Sequence, residues 1–343
     1  MTPTKFRFSQ SAVDYYFNGS FRDLAKIADK KNAVIITDDN VFAAHQDKFR
    51  GWNVICLKPG EEYKVQATVD SVIETLIAMQ ADRKTTLIGV GGGVITDLTG
   101  YIASVYMRGV PFGFVPTSLL AMVDASIGGK NGIDVGEYKN MVGNIRQPSF
   151  LLYDFSLLKT LPAGCWSDGF AEIIKHACIK DAGAFAILQK ENISSLQKNT
   201  KLLSSIIIRN AKLKTTVVQK DEFEKADRKL LNFGHTLGHA LETQYELTHG
   251  QAISIGMNYA CKLSEELAGF RSTNEVKELL EQYGLPVEAS FNMKKVLGIM
   301  KMDKKRVRKE MSYILLRKIG NAVIYTIDIS KLEKMLLRTY QAL

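Results

Sequence analysis

The sequence predicts an α/β N-terminal nucleotide-binding domain, residues 1–157, followed by a largely all-α C-terminal metal-binding domain, residues 158–343. Four observations carry this. Short β-branched runs alternate with helical patterns in the first half, and a glycine-rich turn leads from a strand into a helix at residues 87–97. From Trp166 onward the period is almost wholly helical, and three of the chain's five histidines fall in one short stretch there.

Residues 33–37, 53–57, 85–90, 112–115 and 150–153 read as buried strands of a parallel sheet, and 65–79 and 96–106 as the helices between them. In the second half helices are expected over 184–197, 202–220, 235–245, 252–268 and 273–283, with a β-hairpin at 312–326 turning at Gly320-Asn321. No repeat or low-complexity linker marks the boundary, which the change of period places within 154–161.

A chain of 343 residues can bury two sizeable cores. It shows neither a secretory leader pattern nor an apolar run of bilayer length, so a cytoplasmic protein is expected. Cys56, Cys165, Cys178 and Cys261 are widely spaced, which argues against a disulfide framework or a thiolate zinc site. The charge of +9 includes a basic run from Lys301 through Lys304, Lys305, Arg306, Arg308 and Lys309. That run has no interleaved aromatics and no recognisable module, so it points to an anionic small molecule rather than nucleic acid or membrane.

In Leu87-Ile88-Gly89-Val90-Gly91-Gly92-Gly93-Val94-Ile95-Thr96-Asp97 the strand, glycines and helix start suit a pyrophosphate. The last glycine of the ordinary dinucleotide fingerprint is missing. Acids at Thr37-Asp38-Asp39-Asn40 and Gly60-Glu61-Glu62-Tyr63-Lys64 are placed to accept ribose hydroxyls, which favours NAD over NADP. Arg108, residues 115–118, 123–132 and 138–140 form a Gly- and Lys-rich stretch read as ligand-holding loops, too polar for a core.

His235 and His239 lie one helical turn apart, with His249 close behind, and Glu172 and Lys175 share a helical face. The four ligand candidates, Glu172, His235, His239 and His249, describe a divalent cation beside an anion site. His45, amid Asp and Lys, reads as merely solvated.

Gly91 to Asp97, Tyr106-Met107-Arg108-Gly109, Val115 to Lys130, Lys139-Asn140, Leu158 to Pro162, Glu172 to Lys175, Asn232 to His239 and His249-Gly250 together resemble the 3-dehydroquinate synthases, within the wider sugar-phosphate cyclases. The resemblance covers most of the chain and is looser in the first thirty and last seventy residues. It implies a dehydroquinate synthase-like fold, an active site in the cleft between the domains and a homodimer. It also implies zinc, or cobalt, on Glu172, His235 and His249. Asp38, Asn40, Glu61, Lys64, Gly92, Gly93, Asp97, Thr117, Ser118, Lys139 and Thr160 match the family's NAD contacts. Asp124, Lys130, Asn140, Lys175, Lys214, Glu224, Arg228, Asn232 and His239 match substrate positions, joined by a lysine of 303–305, Lys304 or Lys305. Arg108 matches a residue reaching from the neighbouring subunit.

The implied reaction converts 3-deoxy-D-arabino-heptulosonate 7-phosphate to 3-dehydroquinate and phosphate. It proceeds by transient oxidation with NAD, β-elimination of phosphate, reduction, and intramolecular aldol closure. Lys130, Asn140, Lys175, His239 and Glu224 form the implied catalytic set, with His239 moving a proton from the ring hydroxyl. Asn232 and His239 are of the dehydroquinate type, which argues against a sister cyclase. A polyol dehydrogenase of similar fold would not need the phosphate clamp of Lys130, Lys175 and Arg228. Gly164-Cys165 stands where an Arg-Glu pair is common, Gln251 where Glu is usual and Ala125 where Ser is. Gly164 is expected to lose a cofactor contact and Gln251 to retune the surroundings of His249.

Overall fold

The computed structural model describes residues 2–136, 138–302 and 310–342. The chain forms two compact units, one of residues 1–165 and 207–223, the other of 166–206 and 224–343.

The first unit contains strands β1 (Thr4–Arg7), β2 (Ala12–Tyr16), β3 (Ala33–Asp38), β4 (Asn53–Leu57), β5 (Thr86–Gly91), β6 (Phe112–Pro116), β7 (Lys130–Val135), β8 (Tyr138–Ile145) and β9 (Phe150–Leu152). Seven of them form one sheet in the order β1-β2-β9-β6-β5-β3-β4, parallel except for β1 against β2. The all-buried runs in β3, β6 and β9 follow from helices covering a parallel sheet, which leaves no wet face to demand alternation. Ile35, Ile88, Val90, Val115 and Leu152 meet Phe21 and Phe49 in one core.

After β3 the chain moves outward to β4, whereas after β5 it moves the other way to β6. The carboxyl ends of β3 and β5, Asp38 and Gly91, therefore flank a topological switch point, where open α/β sheets bind ligands.

Two parts of this unit differ from the sequence reading. β1 and β2 add an edge that the sequence reading leaves unassigned. Residues 123–145 are partly core rather than loop, with Ser126, Asn131 and Asp134 all buried. Burial is tolerated because each finds a partner. Ser126 donates to the Ala121 carbonyl, Asn131 to the Gly129 and Arg146 carbonyls, and Asp134 accepts from the Asn140 amide.

The second unit is mostly helical, with a hairpin of β10 (Glu310–Lys318) and β11 (Asn321–Asp328). The single helix expected over 184–197 is two, Ala182–Leu188 and Ile193–Lys198, because Asn192 and Ser195 form a capping box that starts a new helix. Helix His235–Gln244 crosses helix His249–Ala268 at backbone contact. A Cβ on Gly256 would lie 2.0 Å from the Gly234 carbonyl oxygen, and Gly234 itself has φ +80°. Only glycine fits at that crossing. Among the described residues no helix is long and apolar enough to span a membrane.

Candidate active site

The two units carry different chemistry. In the first, Gly92 precedes the helix Gly93–Val105, whose first intrahelical bond runs from the Thr96 amide to the Gly92 carbonyl. The amides of the first turn stay open to an anion. Ser118 sits against Gly92, and the Thr117 amide binds the Gly91 carbonyl. Gly93 faces Ala125, where a Cβ would lie 3.3 Å from the Ala125 methyl.

Asp38 caps the helix Asp39–His45 by accepting from the Val41 amide at 3.0 Å, and burial pushes its carboxyl above the usual range. Asn40 lies exposed in that helix's first turn. Thr160 is 2.8 Å from His45 Nε2, so His45 is not merely solvated. Its half-burial and nearby Lys48 lower its pKa.

Lys64 is 4% exposed, with Nζ 2.7 Å from Asp97 Oδ2, 3.7 Å from Glu61 and 2.7 Å from Asn140 Oδ1. Burial alone would lower its pKa, but Asp97 and Glu61 outweigh it and hold the ammonium charged. Lys64, itself an expected cofactor residue, thus ties two others, Asp97 and Glu61, to one expected substrate residue, Asn140. Asn140 has φ +55° and is anchored by Asp134, which the sequence reading missed because nothing in local spacing links it to Lys64. Lys64→Met leaves Asp97 without its cation and is expected to destabilise the protein by about 3 kcal/mol. An unchanged unfolding midpoint in urea would show that the network contributes nothing.

Lys214 Nζ pairs with Asp124 Oδ1 at 2.8 Å within the same unit. Lys130 and Arg108 are exposed and Lys139 is half-buried. Met107, Arg108 and Gly109 have successive positive φ values of 48°, 65° and 119°, a turn that sets the Arg108 side chain outward.

In the second unit, helix Ala163–Lys180 brings Glu172 and Lys175, while His235 and His249 each open a helix. Glu172 is fully buried. Its Oε1 lies 3.0 Å from His249 Nε2 and 3.5 Å from His235 Nε2, and its Oε2 pairs with Lys175. One ligand atom from each of Glu172, His235 and His249 falls within 4.8 Å of the others. The His239 ring is 4.9 Å from that of His235, centroid to centroid, and His239 is not a member of the three-residue group. The four candidates therefore reduce to three by position.

His235 Nδ1 faces the Phe233 carbonyl at 3.1 Å, which makes Nδ1 the donor and leaves the Nε2 lone pair toward Glu172. Burial, and then Lys175, hold His235 well below the ordinary imidazole pKa. For His249 burial acts in the same direction but is outweighed by Glu172 and Glu242, which lift it to about 10. Asp168, one turn before Glu172, accepts from the Thr248 hydroxyl and the Gly250 amide, so it fixes the backbone on both sides of His249.

Gln251 turns back to accept from the Thr248 amide at 3.0 Å in a capping box. That role suits Gln as well as Glu, so this departure caps a helix rather than touching His249. A Cβ on Gly164 would meet nothing within 4 Å.

Asn232 donates to Glu224 at 2.6 Å, and Arg228 is buried. A cavity of about 1160 Å³ opens against Glu224, Asn232, His235 and His239, with Met311 and Ile314 on the hairpin side. Lys304 and Lys305 lie outside the described residues.

A glycine-rich turn at a sheet switch point goes here with a helical unit bearing a Glu/His/His cluster beside a buried lysine, in a chain similar to solved sugar-phosphate cyclases. The chain shares their fold. It matches 2-epi-5-epi-valiolone synthase from Streptomyces hygroscopicus subsp. jinggangensis 5008, solved with NAD+ and Zn2+ bound, with a TM-score of 0.85 over 98% of this chain and 99% of that one, at 25% identity. Within that class, the chain belongs to the 3-dehydroquinate synthase family. Residues 54–168 match the family's N-terminal domain and 169–306 its C-terminal domain. The 3-dehydroquinate synthase of Clostridium beijerinckii is 38% identical over 88% of this chain and 90% of its own. That of Methylacidiphilum infernorum is 42% identical over 78% and 74%.

Proposed function

We propose that this chain catalyses the 3-dehydroquinate synthase reaction, converting 3-deoxy-D-arabino-heptulosonate 7-phosphate to 3-dehydroquinate and phosphate on the shikimate route to aromatic amino acids. In this reading it is a cytoplasmic carbon–oxygen lyase that uses NAD and a divalent metal. Residues 1–157 form the NAD-binding domain and 158–343 the metal- and substrate-binding domain. The observation that carries the reading is the Glu172, His235 and His249 cluster with Asn232 and His239 beside it. The identities of 38% and 42% to 3-dehydroquinate synthases, against 25% to a sister cyclase, support the choice within the class.

The residues fit both groups. Two imidazole nitrogens and one carboxylate oxygen within 4.8 Å suit zinc or cobalt and leave further positions open. Gly92, Gly93 and the helix start behind them suit the pyrophosphate of NAD, with Asp38 at the end of β3 for a ribose hydroxyl. When bound, the two supply hydride uptake and return at the substrate's C5 and polarisation of the C5 hydroxyl.

The chain's own residues bind and align. Arg228 and Lys175, both buried, present positive charge in the second unit, and Lys130 and Lys214 do so in the first. Lys130, Asn140 and Lys175 hold the substrate so that its phosphate oxygen can take the C6 proton as phosphate leaves. His239 takes the ring hydroxyl proton, and Glu224 orients Asn232 through their hydrogen bond.

The proposed assembly is a homodimer, with Arg108 serving the neighbouring subunit. Val105, Met107, Tyr138, Met141 and Ile145 expose apolar side chains in the first unit, Tyr138 and Met141 by 61% and 65%. Arg146, next to Ile145, donates to the Ala103 carbonyl, which joins β8 to the end of the helix before Arg108. A Tyr138→Asp, Met141→Asp protein is expected to run as a monomer by light scattering where the wild type is a dimer. A double variant that remains dimeric would move the interface elsewhere.

The activity test follows phosphate release and NADH absorbance together, with NAD, zinc and the heptulosonate phosphate, and with chelated protein as control. Stoichiometric phosphate without lasting NADH is expected. Accumulating NADH without phosphate would identify a dehydrogenase instead.

A further inference from the structure

We infer that Glu242 is a positioning residue for His249: it fixes which ring nitrogen of His249 is free to ligate and holds the ring toward the cluster. The inference rests on the proposal that Glu172, His235 and His249 hold a divalent metal.

Glu242 lies on the helix His235–Gln244, seven residues after His235 and three after His239, so the three side chains share a face. Its Oε2 is 3.5 Å from His249 Nδ1, and its side chain is 11% exposed. The other nitrogen of the same ring, Nε2, is the one turned to Glu172 Oε1 at 3.0 Å. The His249 imidazole is thus held end to end between two carboxylates, with one end in the cluster and the other outside it.

His235 is held in the same way by a different acceptor. Its Nδ1 faces the Phe233 carbonyl, and its Nε2 faces Glu172. Both histidines therefore have Nε2 in the cluster and Nδ1 against an oxygen that can only accept. An acceptor at Nδ1 holds a proton there, so that Nε2, the nitrogen inside the cluster, is the one that gives way to a cation. For His235 the backbone supplies that acceptor and no substitution can remove it. For His249 a side chain supplies it, and a carboxylate also makes the ring a stronger donor to a metal than a carbonyl does. Asp168 fixes the His249 backbone through Thr248 and Gly250, but it does not touch the ring. Glu242 is the described side chain that holds the Nδ1 end of the ring, opposite Glu172 at Nε2.

The test compares wild type, Glu242→Ala and Glu242→Gln by the Zn2+ dissociation constant, measured by competition with a chromogenic chelator in the absence of NAD and substrate. The melting temperature of each metal-free protein is measured alongside. Glu242→Ala is expected to bind zinc about 10- to 100-fold more weakly, the usual cost of losing an outer partner of a ligating histidine. Glu242→Gln keeps an acceptor oxygen but not the charge, and its affinity is expected to fall between those of wild type and Glu242→Ala. Metal-free melting temperatures within the error of wild type would separate this role from packing. Should Glu242→Ala fail to fold, the Gln variant decides alone, through its weaker binding at unchanged melting temperature. Wild-type affinity in the variants, or a lowered melting temperature with unchanged affinity, would overturn the inference. Absence of zinc uptake by the wild type would instead remove the metal reading on which it stands.

Discussion

His235→Ala is expected to abolish both metal binding and phosphate release while the first unit stays folded. His235 Nε2 is one of only three ligand atoms in the cluster, and no other imidazole of the group can replace it. His239, on the next turn, is outside the three-residue group. The loss of affinity is expected to exceed the roughly 10- to 100-fold seen when only an outer partner of a ligand is removed. Metal content after dialysis, activity and far-ultraviolet circular dichroism measured on the same sample check this. A metal-free His235→Ala protein with full activity would sink the assignment of the cluster.

Gly256→Ala is the second large effect, and it acts at a distance from any ligand. A methyl at Gly256 would sit 2.0 Å from the Gly234 carbonyl oxygen and 3.0 Å from the Gly238 amide nitrogen. These are backbone atoms, so no side-chain rotation relieves the clash and the two helices must separate. His235 is the residue after Gly234, and His249 opens the helix that carries Gly256. Separation therefore moves one ligand away from the other. A loss of about 3 kcal/mol or more is expected from the overpacking, together with weaker zinc binding. Equal melting temperatures for Gly256→Ala and wild type would mean that the crossing is looser than its backbone contact implies.

Local chemistry explains which parts of the fold were legible. The β-branched runs of β3, β5 and β6 and the apolar spacing of helices such as Thr273–Gln282 are properties of neighbouring residues. A one-dimensional period captures them. β1 and β2 are short and gain their place by pairing with each other and with β9, more than a hundred residues later. The break at residues 189–192 depends on one capping box within an otherwise helical pattern. The helix Thr200–Lys220 is continuous, yet its residues divide between the two units. No period in its sequence marks that division, because a helix can satisfy its backbone throughout while its side chains pack in different cores.

The candidate site divides along the same line. By itself the sequence determined an α/β half followed by a helical half, the glycine turn at Gly91-Gly92-Gly93, the turn-spaced His235 and His239, and the pairing of Glu172 with Lys175 on one face. Each of these is set by residues within a few positions of one another, where helix and strand geometry fixes who meets whom. The set Glu172, His235 and His249, with His239 on the substrate side, comes from the family resemblance and not from residue spacing. The tertiary structure supplies the geometry, bringing Glu172 to His249 across 77 residues and leaving His239 out of the three-residue group. It alone placed Lys64 between Asp97 and Asn140, turned Gln251 back on Thr248 and set Glu242 behind His249. Those pairings depend on where whole helices and strands cross, and a crossing such as Gly256 on Gly234 is fixed by close packing between distant segments rather than by any local pattern.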